Sequence, residues 1–380
     1  MNGLIRTRFA MVILLVIVLA ACQPAPGPEP TESQPNPQTS DQAFRVDPFW
    51  PKDLPDEWQV GNVVGVAVDS HDSVWITHRP NSQPGAEDTP PVIAFDVDGR
   101  VVKSWGGPGD GYQWGTQAHG LYVDYQDNVW IGFGGGLPYD ITTRATTDNA
   151  HVLKFNPDGE FLLQIGEFGR GTEGSNSPEF LGQPTDVYVD PETDEAYVTD
   201  GYTNRRVIVF DATTGEYKRH WGAYGNEPDD DTMVTFDRNG PPPTQFSTPH
   251  CIGMTDDGLV YVCDRQHERI QVFEKDGTFI SETVVTVTMP DGEVGGRPGD
   301  LAFSLDPEQR LVYMVDMANA KVHTLERDSL RIVDTFGRRG RWAGNLLTPH
   351  SLVLDSKGNL YVTETTAGSR MQKFVATEMN

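Results

Sequence analysis

From residue 62 onward, apolar and polar positions alternate in short runs that recur in a unit of about forty residues. Each unit opens on a stretch such as Gly65-Val66-Ala67-Val68-Asp69 or Gly120-Leu121-Tyr122-Val123-Asp124. A turn and an aromatic, β-branched run follow, as in Val74-Trp75-Ile76-Thr77, Val129-Trp130-Ile131 and Ala196-Tyr197-Val198-Thr199. The same run returns at Val260-Tyr261-Val262-Cys263, Val312-Tyr313-Met314-Val315 and Leu360-Tyr361-Val362-Thr363. A third run is seen in Val152-Leu153-Lys154-Phe155 and Val207-Ile208-Val209-Phe210, and Asp158-Gly159 or Asp276-Gly277 turns lead into a fourth. Period-two alternation broken by turn residues about every eight to twelve positions predicts antiparallel strands throughout, and no amphipathic helical pattern competes with it.

Six units of four strands predict an all-β chain folded as a six-bladed β-propeller, in which radial closure leaves only short, protected edges. An open solenoid is the alternative arrangement of such repeats. The last unit stops after its third run, Arg370-Met371-Gln372-Lys373-Phe374. An N-terminal strand from residues roughly 44–60 is therefore expected to complete that blade and latch the ring, with the propeller occupying 44–380.

The first 43 residues change character. Arg6 and Arg8 precede an apolar segment, Phe9 to Leu19, that runs into Leu19-Ala20-Ala21-Cys22. A basic flank, a short hydrophobic core and small residues before the cleavage point describe a secretory signal too short to span a bilayer. Its ending resembles a bacterial lipobox, so residues 1–22 are expected to be a lipoprotein signal with Cys22 lipidated. Residues 23–43, rich in Pro, Ser, Gln and Thr, read as a disordered tether. The expected location is the extracytoplasmic side of the bacterial cell envelope, held to the membrane by lipid.

Charge narrows the partners. With 55 acidic against 29 basic residues the formal charge is −26, which argues against nucleic acid and against an anionic membrane surface. About 335 residues remain beyond the tether, a normal size for one propeller, and a closed ring needs no second copy, so a monomer is expected. Cys251 and Cys263 flank the turn Asp256-Asp257-Gly258 symmetrically. They read either as a cross-strand disulfide, plausible in an oxidising compartment, or as two buried thiols.

Three histidines share one register. His119 in Ala118-His119-Gly120-Leu121, His250 in Pro249-His250-Cys251-Ile252 and His350 in Pro349-His350-Ser351-Leu352 open units two, four and six. The intervening units carry Val64, Thr185 and Gly299 there. Alternate blades of a six-membered ring lie roughly 120° apart, so the imidazoles converge on the axis and suit zinc or another divalent metal with open coordination positions. His71, His78, His151, His220, His267 and His323 stand out of register. Residues just past the second strand of each unit reach the same mouth: His78-Arg79, Asp200-Gly201-Tyr202 and Asp264-Arg265. Arg79 and Arg265 suit a carboxylate-bearing substrate, peptide or small molecule, and Tyr202 suits a general base. Asp200 and Asp264 read as turn residues of the repeat.

The pattern Asp-Val-Tyr-Val-Asp, Tyr-Val-Thr-Asp and Asn-Arg-Arg-Val-Ile-Val-Phe over 186–210 resembles NHL repeats. Thr199-Asp200-Gly201-Tyr202-Thr203-Asn204-Arg205-Arg206 resembles the peptidyl-α-hydroxyglycine α-amidating lyases more specifically, as do His78-Arg79, His119-Gly120-Leu121, Phe246 with Pro249-His250, Asp264-Arg265 and Pro349-His350. The resemblance covers about 60–375. It implies a six-bladed NHL-type propeller with zinc on His119, His250 and His350, active-site arginines at Arg79 and Arg265, and a tyrosine base at Tyr202. It also implies a calcium on the axis, partly bound by the carbonyls of Val66 and Leu121. The implied reaction cleaves the N–C bond of an N-acyl-α-hydroxyglycine to an amide and glyoxylate.

Two positions depart from the family. Its calcium carboxylate after the last histidine is Ser351 here, and its methionine two residues before that histidine is Thr348, which implies a differently lined pocket. These 380 residues are not expected to include the animal enzymes' partner monooxygenase domain, and the substrate is expected to be some other N-acyl-hydroxyglycine or carbinolamide. The alternative from another class is a non-enzymatic NHL propeller that binds a peptide, glycan or protein. A propeller hydrolase or lactonase is less well matched, since such sites rely on axial carboxylates and Asn.

Overall fold

The computed structural model describes residues 42–135, 149–171, 173–232, 236–285 and 295–378. The expected signal, Cys22 and nearly all of the tether fall outside them. Among the described residues, no helix is long and apolar enough to cross a membrane.

Six four-stranded antiparallel meanders form the blades, and the chain is a six-bladed β-propeller. The innermost strands are Asn62–Val68, Ala118–Val123, Pro184–Asp190, Pro249–Met254, Pro298–Phe303 and Pro349–Leu354. Each touches the innermost strand of the next blade, and the sixth touches the first, so the ring is closed. The open solenoid is thereby excluded. The ring is also latched by a hydrogen-bonded strand pair. The strand Gln42–Asp47 pairs antiparallel with Arg370–Glu378 as the outermost strand of blade six, Val46 opposite Phe374. The strand thus lies at the start of the stretch from which it was expected.

The core lies between blades, because a sheet buried on both faces needs apolar residues on both. Trp75, Ala94 and Val92 of blade one pack with Leu121, Ile131 and Phe155 of blade two, and Phe44 and Val46 pack with Tyr313, Leu346 and Phe374. Cys251 and Cys263 stand directly opposite each other with Cα atoms 5.0 Å apart and form a disulfide, which settles the alternatives the sequence left open.

Two out-of-register histidines are core groups. His78 Nδ1 accepts from the Gly61 amide and its Nε2 donates to the Pro90 carbonyl; His151 stacks on Phe133 at 4.8 Å and donates to Gln113. Burial pushes both imidazoles down to about 4. Because the folded-state values are depressed, the unfolded chain binds protons first, and stability is lost as pH falls from about 6.5 towards 4. The shifts correspond to roughly 3 kcal/mol for each group. Urea unfolding at pH 7 and at pH 4.5 should show this loss, reduced in a His151→Asn variant; a loss equal to wild type in that variant would remove His151 from the account.

Candidate metal centre

The strand register explains how the three histidines come to face the axis. In every blade the pairing of the innermost strand with its neighbour is interrupted at one place: between Val63 and Gly65, Ala118 and Leu121, Pro184 and Asp186, Pro249 and Cys251, Pro298 and Asp300, and Pro349 and Leu352. The skipped residues include Val64, His119, Thr185, His250, Gly299 and His350. A bulge releases a residue from the ladder and re-aims its side chain. Six bulges in one register turn six residues towards the centre, and three of these are histidines.

The imidazoles form a near-equilateral triangle, with ring centroids 4.8, 4.8 and 5.0 Å apart and candidate ligand atoms within 4.8 Å of one another. All three are buried. Each is oriented by the next blade round the ring. His119 Nδ1 lies 2.7 Å from the Thr185 carbonyl and His250 Nδ1 lies 2.7 Å from the Gly299 carbonyl. His350 Nδ1 lies 3.1 Å from Ser351 Oγ, whose hydroxyl donates to the Val64 carbonyl at 3.0 Å. The non-histidine positions of blades one, three and five thus hold the histidines of blades six, two and four. A proton on Nδ1 leaves the Nε2 lone pair for the axis.

The donor set fits a divalent transition metal. His250 Nε2 is buried with no hydrogen-bond partner, a loss that a bound cation would remove. Burial, together with the neighbouring arginines, pushes His350 down to about 3, and burial foremost holds His119 and His250 well below their ordinary value. The rings are therefore neutral, as ligation requires.

Above the triangle the structure assembles the other expected residues. Tyr202 Oη lies 3.0 Å from His119 Nε2 and accepts a hydrogen bond from Arg265 Nη1 at 3.3 Å, with that guanidinium over the phenol ring at 5.2 Å. Gly135, at φ +74°, passes close beneath the phenol; a Cβ there would stand 3.2 Å from the ring. Arg79 donates from Nε to the Ala118 carbonyl, beside His119, and is pulled below its ordinary pKa by burial, which Tyr202 opposes. All three side chains are half-buried, so they border both the buried triangle and the mouth.

Asp200 and Asp264 correct the sequence reading. They are not turn residues but fully buried carboxylates. Asp200 accepts from the Gly182 amide, Asn204 and Arg206; Asp264 accepts from the Ser247 amide, His267 and Arg269. Each pins the loop that carries the next functional residue, Tyr202 or Arg265. The signal was present in sequence as an arginine five or six residues downstream, repeated as Glu364 with Arg370.

Sequence reasoning also missed Asp186 and Asp300. Each directly follows the bulged position of its blade, and both line an axial cavity of 240 Å³ together with Val66, Leu121, Ile252 and Leu352. Burial pushes both carboxyls up, Asp300 to about 7, and Asp300 raises Asp186 further. Asp300 stands in blade five, next to the blade that carries Ser351.

An NHL repeat model matches residues 246–273, within blade four. The chain is 28% identical over 345 residues to NHL repeat-containing protein 3 of Mus musculus, covering 88% of this chain and 85% of that protein. It is 28% identical over 348 residues to peptidyl-alpha-hydroxyglycine alpha-amidating lyase 2 of Drosophila melanogaster, covering 83% and 70%. Against peptidyl-glycine alpha-amidating monooxygenase B of Xenopus laevis it is 26% identical, covering 82% of this chain but only 34% of that longer protein. Among solved structures, a Bacteroides thetaiotaomicron protein of unknown function superposes with TM-score 0.57 at 15% identity, over 88% of this chain and 76% of that one. A streptogramin B lyase superposes with TM-score 0.51 at 11% identity, over 88% and 98%, and these likenesses establish the fold alone. The chain is a six-bladed β-propeller with an NHL repeat match in blade four, similar at low identity both to the peptidyl-α-hydroxyglycine α-amidating lyases and to NHL repeat-containing protein 3.

Proposed function

We propose that the protein is a zinc-dependent carbon–nitrogen lyase that cleaves an N-acyl-α-hydroxyglycine to the amide and glyoxylate. One observation carries the reading: three neutral imidazoles converge on the axis with Tyr202 Oη within hydrogen-bonding reach of one of them. His119, His250 and His350 would hold the zinc, which when bound supplies Lewis-acid polarisation of the substrate's hydroxyl and carboxylate. The guanidinium groups of Arg79 and Arg265 bind and orient the carboxylate. Tyr202 Oη takes the hydroxyl proton as general base. The carbonyl of glyoxylate forms as the C–N bond breaks, and the same proton passes to the departing amide nitrogen, so atoms and charge balance. Arg265 Nη1, donating to the Tyr202 oxygen, holds it in the mouth beside His119. Glyoxylate release from an N-acyl-α-hydroxyglycine by the zinc-loaded protein, and its dependence on Tyr202, tests the reading.

A second reading is a propeller that binds a ligand without turning it over, since the chain is as similar to NHL repeat-containing protein 3, a name that states no activity, as to an amidating lyase. There, wild type would release no glyoxylate at any metal loading.

Calcium is proposed for the axial cavity, with Asp186 and Asp300 as its carboxylates beside the Val66 and Leu121 carbonyls. Two half-buried carboxylates lining one axial cavity are hard oxygen donors of the kind this ion takes. At a hundredfold excess over Kd, binding adds about 2.7 kcal/mol, or roughly 4 °C in Tm for a domain of this size. Calcium should give this rise in wild type but not in an Asp186→Asn/Asp300→Asn variant; an equal rise in both would place the ion elsewhere.

A further inference from the structure

Residues 337–346, which join blades five and six, read Gly-Arg-Arg-Gly-Arg-Trp-Ala-Gly-Asn-Leu. Three of the chain's 29 basic residues fall here within four positions, in a protein with 55 acidic ones. Arg338, Arg339 and Arg341 are exposed. Arg338 donates to Asn345 Oδ1, and Arg339 donates to the carbonyls of Ala318 and Leu347. These partners are neutral, and among the described residues no carboxylate pairs with any of the three arginines. Trp342 beside them is 82% exposed, more than any other large apolar side chain described.

The loop is firmly built. Arg370, paired with buried Glu364, donates to the carbonyls of Gly340, Arg341 and Asn345. Gln372 clasps it from both sides, donating to the Asn345 carbonyl and accepting from the Gly344 amide, each at 2.9 Å. Gly340 N donates to Leu346 O and Leu346 N to Arg338 O, closing the base. A fixed platform that holds an indole in water forgoes the stability that burying it would give, and such a surface marks a contact site.

Its position names the contact. Arg339 bridges Ala318, two residues past the second strand of blade five, and Leu347, three residues before His350. The platform therefore stands on the rim of the mouth above the histidine triangle. A net charge of −26 repels anions from most of the surface, so an anionic chain reaching this mouth needs local attraction. Guanidinium forks bind carboxylates in pairs, and an exposed indole offers a rigid apolar face.

We propose that this rim is a subsite for the acyl portion of the substrate, and that the substrates are acidic peptides whose C-terminal α-hydroxyglycine enters the metal site. The chemistry rests on the lyase reading; the docking of an acidic peptide does not. The probes are acetyl-Glu-Glu-Phe amide and acetyl-Lys-Lys-Phe amide, which carry no scissile carbinolamide, titrated calorimetrically into the zinc-loaded protein. The hydroxyglycine-extended forms of both are assayed for glyoxylate. The acidic peptide should bind about tenfold more tightly at low salt, and the advantage should shrink as salt screens it. Arg341→Glu should abolish that preference and Trp342→Ala should weaken both peptides, with Tm measured to confirm folding. Acid-selective binding lost in Arg341→Glu, without glyoxylate release from any substrate, would sink the lyase reading and leave the docking surface standing. Turnover with no preference for the acidic peptide would do the reverse. Equal binding of both amides, or binding of anionic vesicles or nucleic acid in their place, overturns the proposal.

Discussion

Replacing His250 with alanine should empty the metal site while leaving the propeller folded. Wild-type protein loaded with zinc and then desalted should carry about one ion per chain by mass spectrometry, as a three-histidine centre requires. His250 Nε2 is buried without a hydrogen-bond partner, as His151 Nδ1 also is, but of the two only His250 stands in a triangle with two further imidazoles. Loss of even a residue that orients a ligand typically weakens metal affinity 10–100-fold; loss of a ligand should exceed about 100-fold and bring the retained metal close to zero. Glyoxylate release should fall to background with it. The fold has independent support at this position, because the adjoining disulfide ties the innermost strand of blade four to its neighbour. The variant does strand the Gly299 carbonyl that His250 Nδ1 engages, which costs about 1–3 kcal/mol, a small part of the stability of a large domain. His151→Asn serves as the contrast, since His151 belongs to the core beside Phe133 and should leave metal stoichiometry untouched. A His250→Ala protein that still holds one zinc would overturn the centre.

Much of this site was legible because its residues share a repeat register, and a ring converts equal register into equal position. His119, His250 and His350 could be paired on that ground, as could the two arginines and Tyr202 beyond the second strands. What sequence does not display is contact between blades. The carbonyls of Thr185 and Gly299 orient histidines from 66 and 49 residues away, and nothing in a main-chain acceptor marks it in sequence. Asp200 and Asp264 were misread for a related reason: an acidic residue at a strand end resembles a turn former until the arginine opposite it on the third strand is placed. Asp186 and Asp300 stand next to the bulged positions, but only radial closure brings them to one axial cavity. The run of arginines at 338–341 is conspicuous in an acidic chain, yet its place beside the mouth follows from Arg339 reaching Leu347 and Ala318. The latch strand was anticipated from a deficit in the last blade, a count that topology enforces.

Tyr202→Phe should separate an enzyme from a binding propeller. The substitution deletes one oxygen and keeps the ring, so the edge contact with His119 at 5.3 Å and the stacking of Arg265 persist. Metal content should be unchanged, because Tyr202 is not a ligand, and Tm should move little, because Oη lies in a half-buried mouth rather than in the core. Catalysis should suffer most. If Oη moves the hydroxyl proton in the C–N cleavage step, its removal should lower kcat by about 10²–10⁴, or roughly 3–5 kcal/mol of barrier, with a much smaller effect on KM. A loss confined to KM would instead make Tyr202 a binding residue. Unaltered kcat and KM would reduce it to packing above His119 and would transfer the proton to another group within reach of the metal. Arg265 provides the cross-check. Its Nη1 contacts the phenol oxygen, so Arg265→Ala should cost less in Tyr202→Phe than in wild type if the two act as a unit, whereas independent costs would multiply. Non-additivity between Tyr202 and Arg265, with zinc retained throughout, is an outcome that a purely binding propeller has no means to produce.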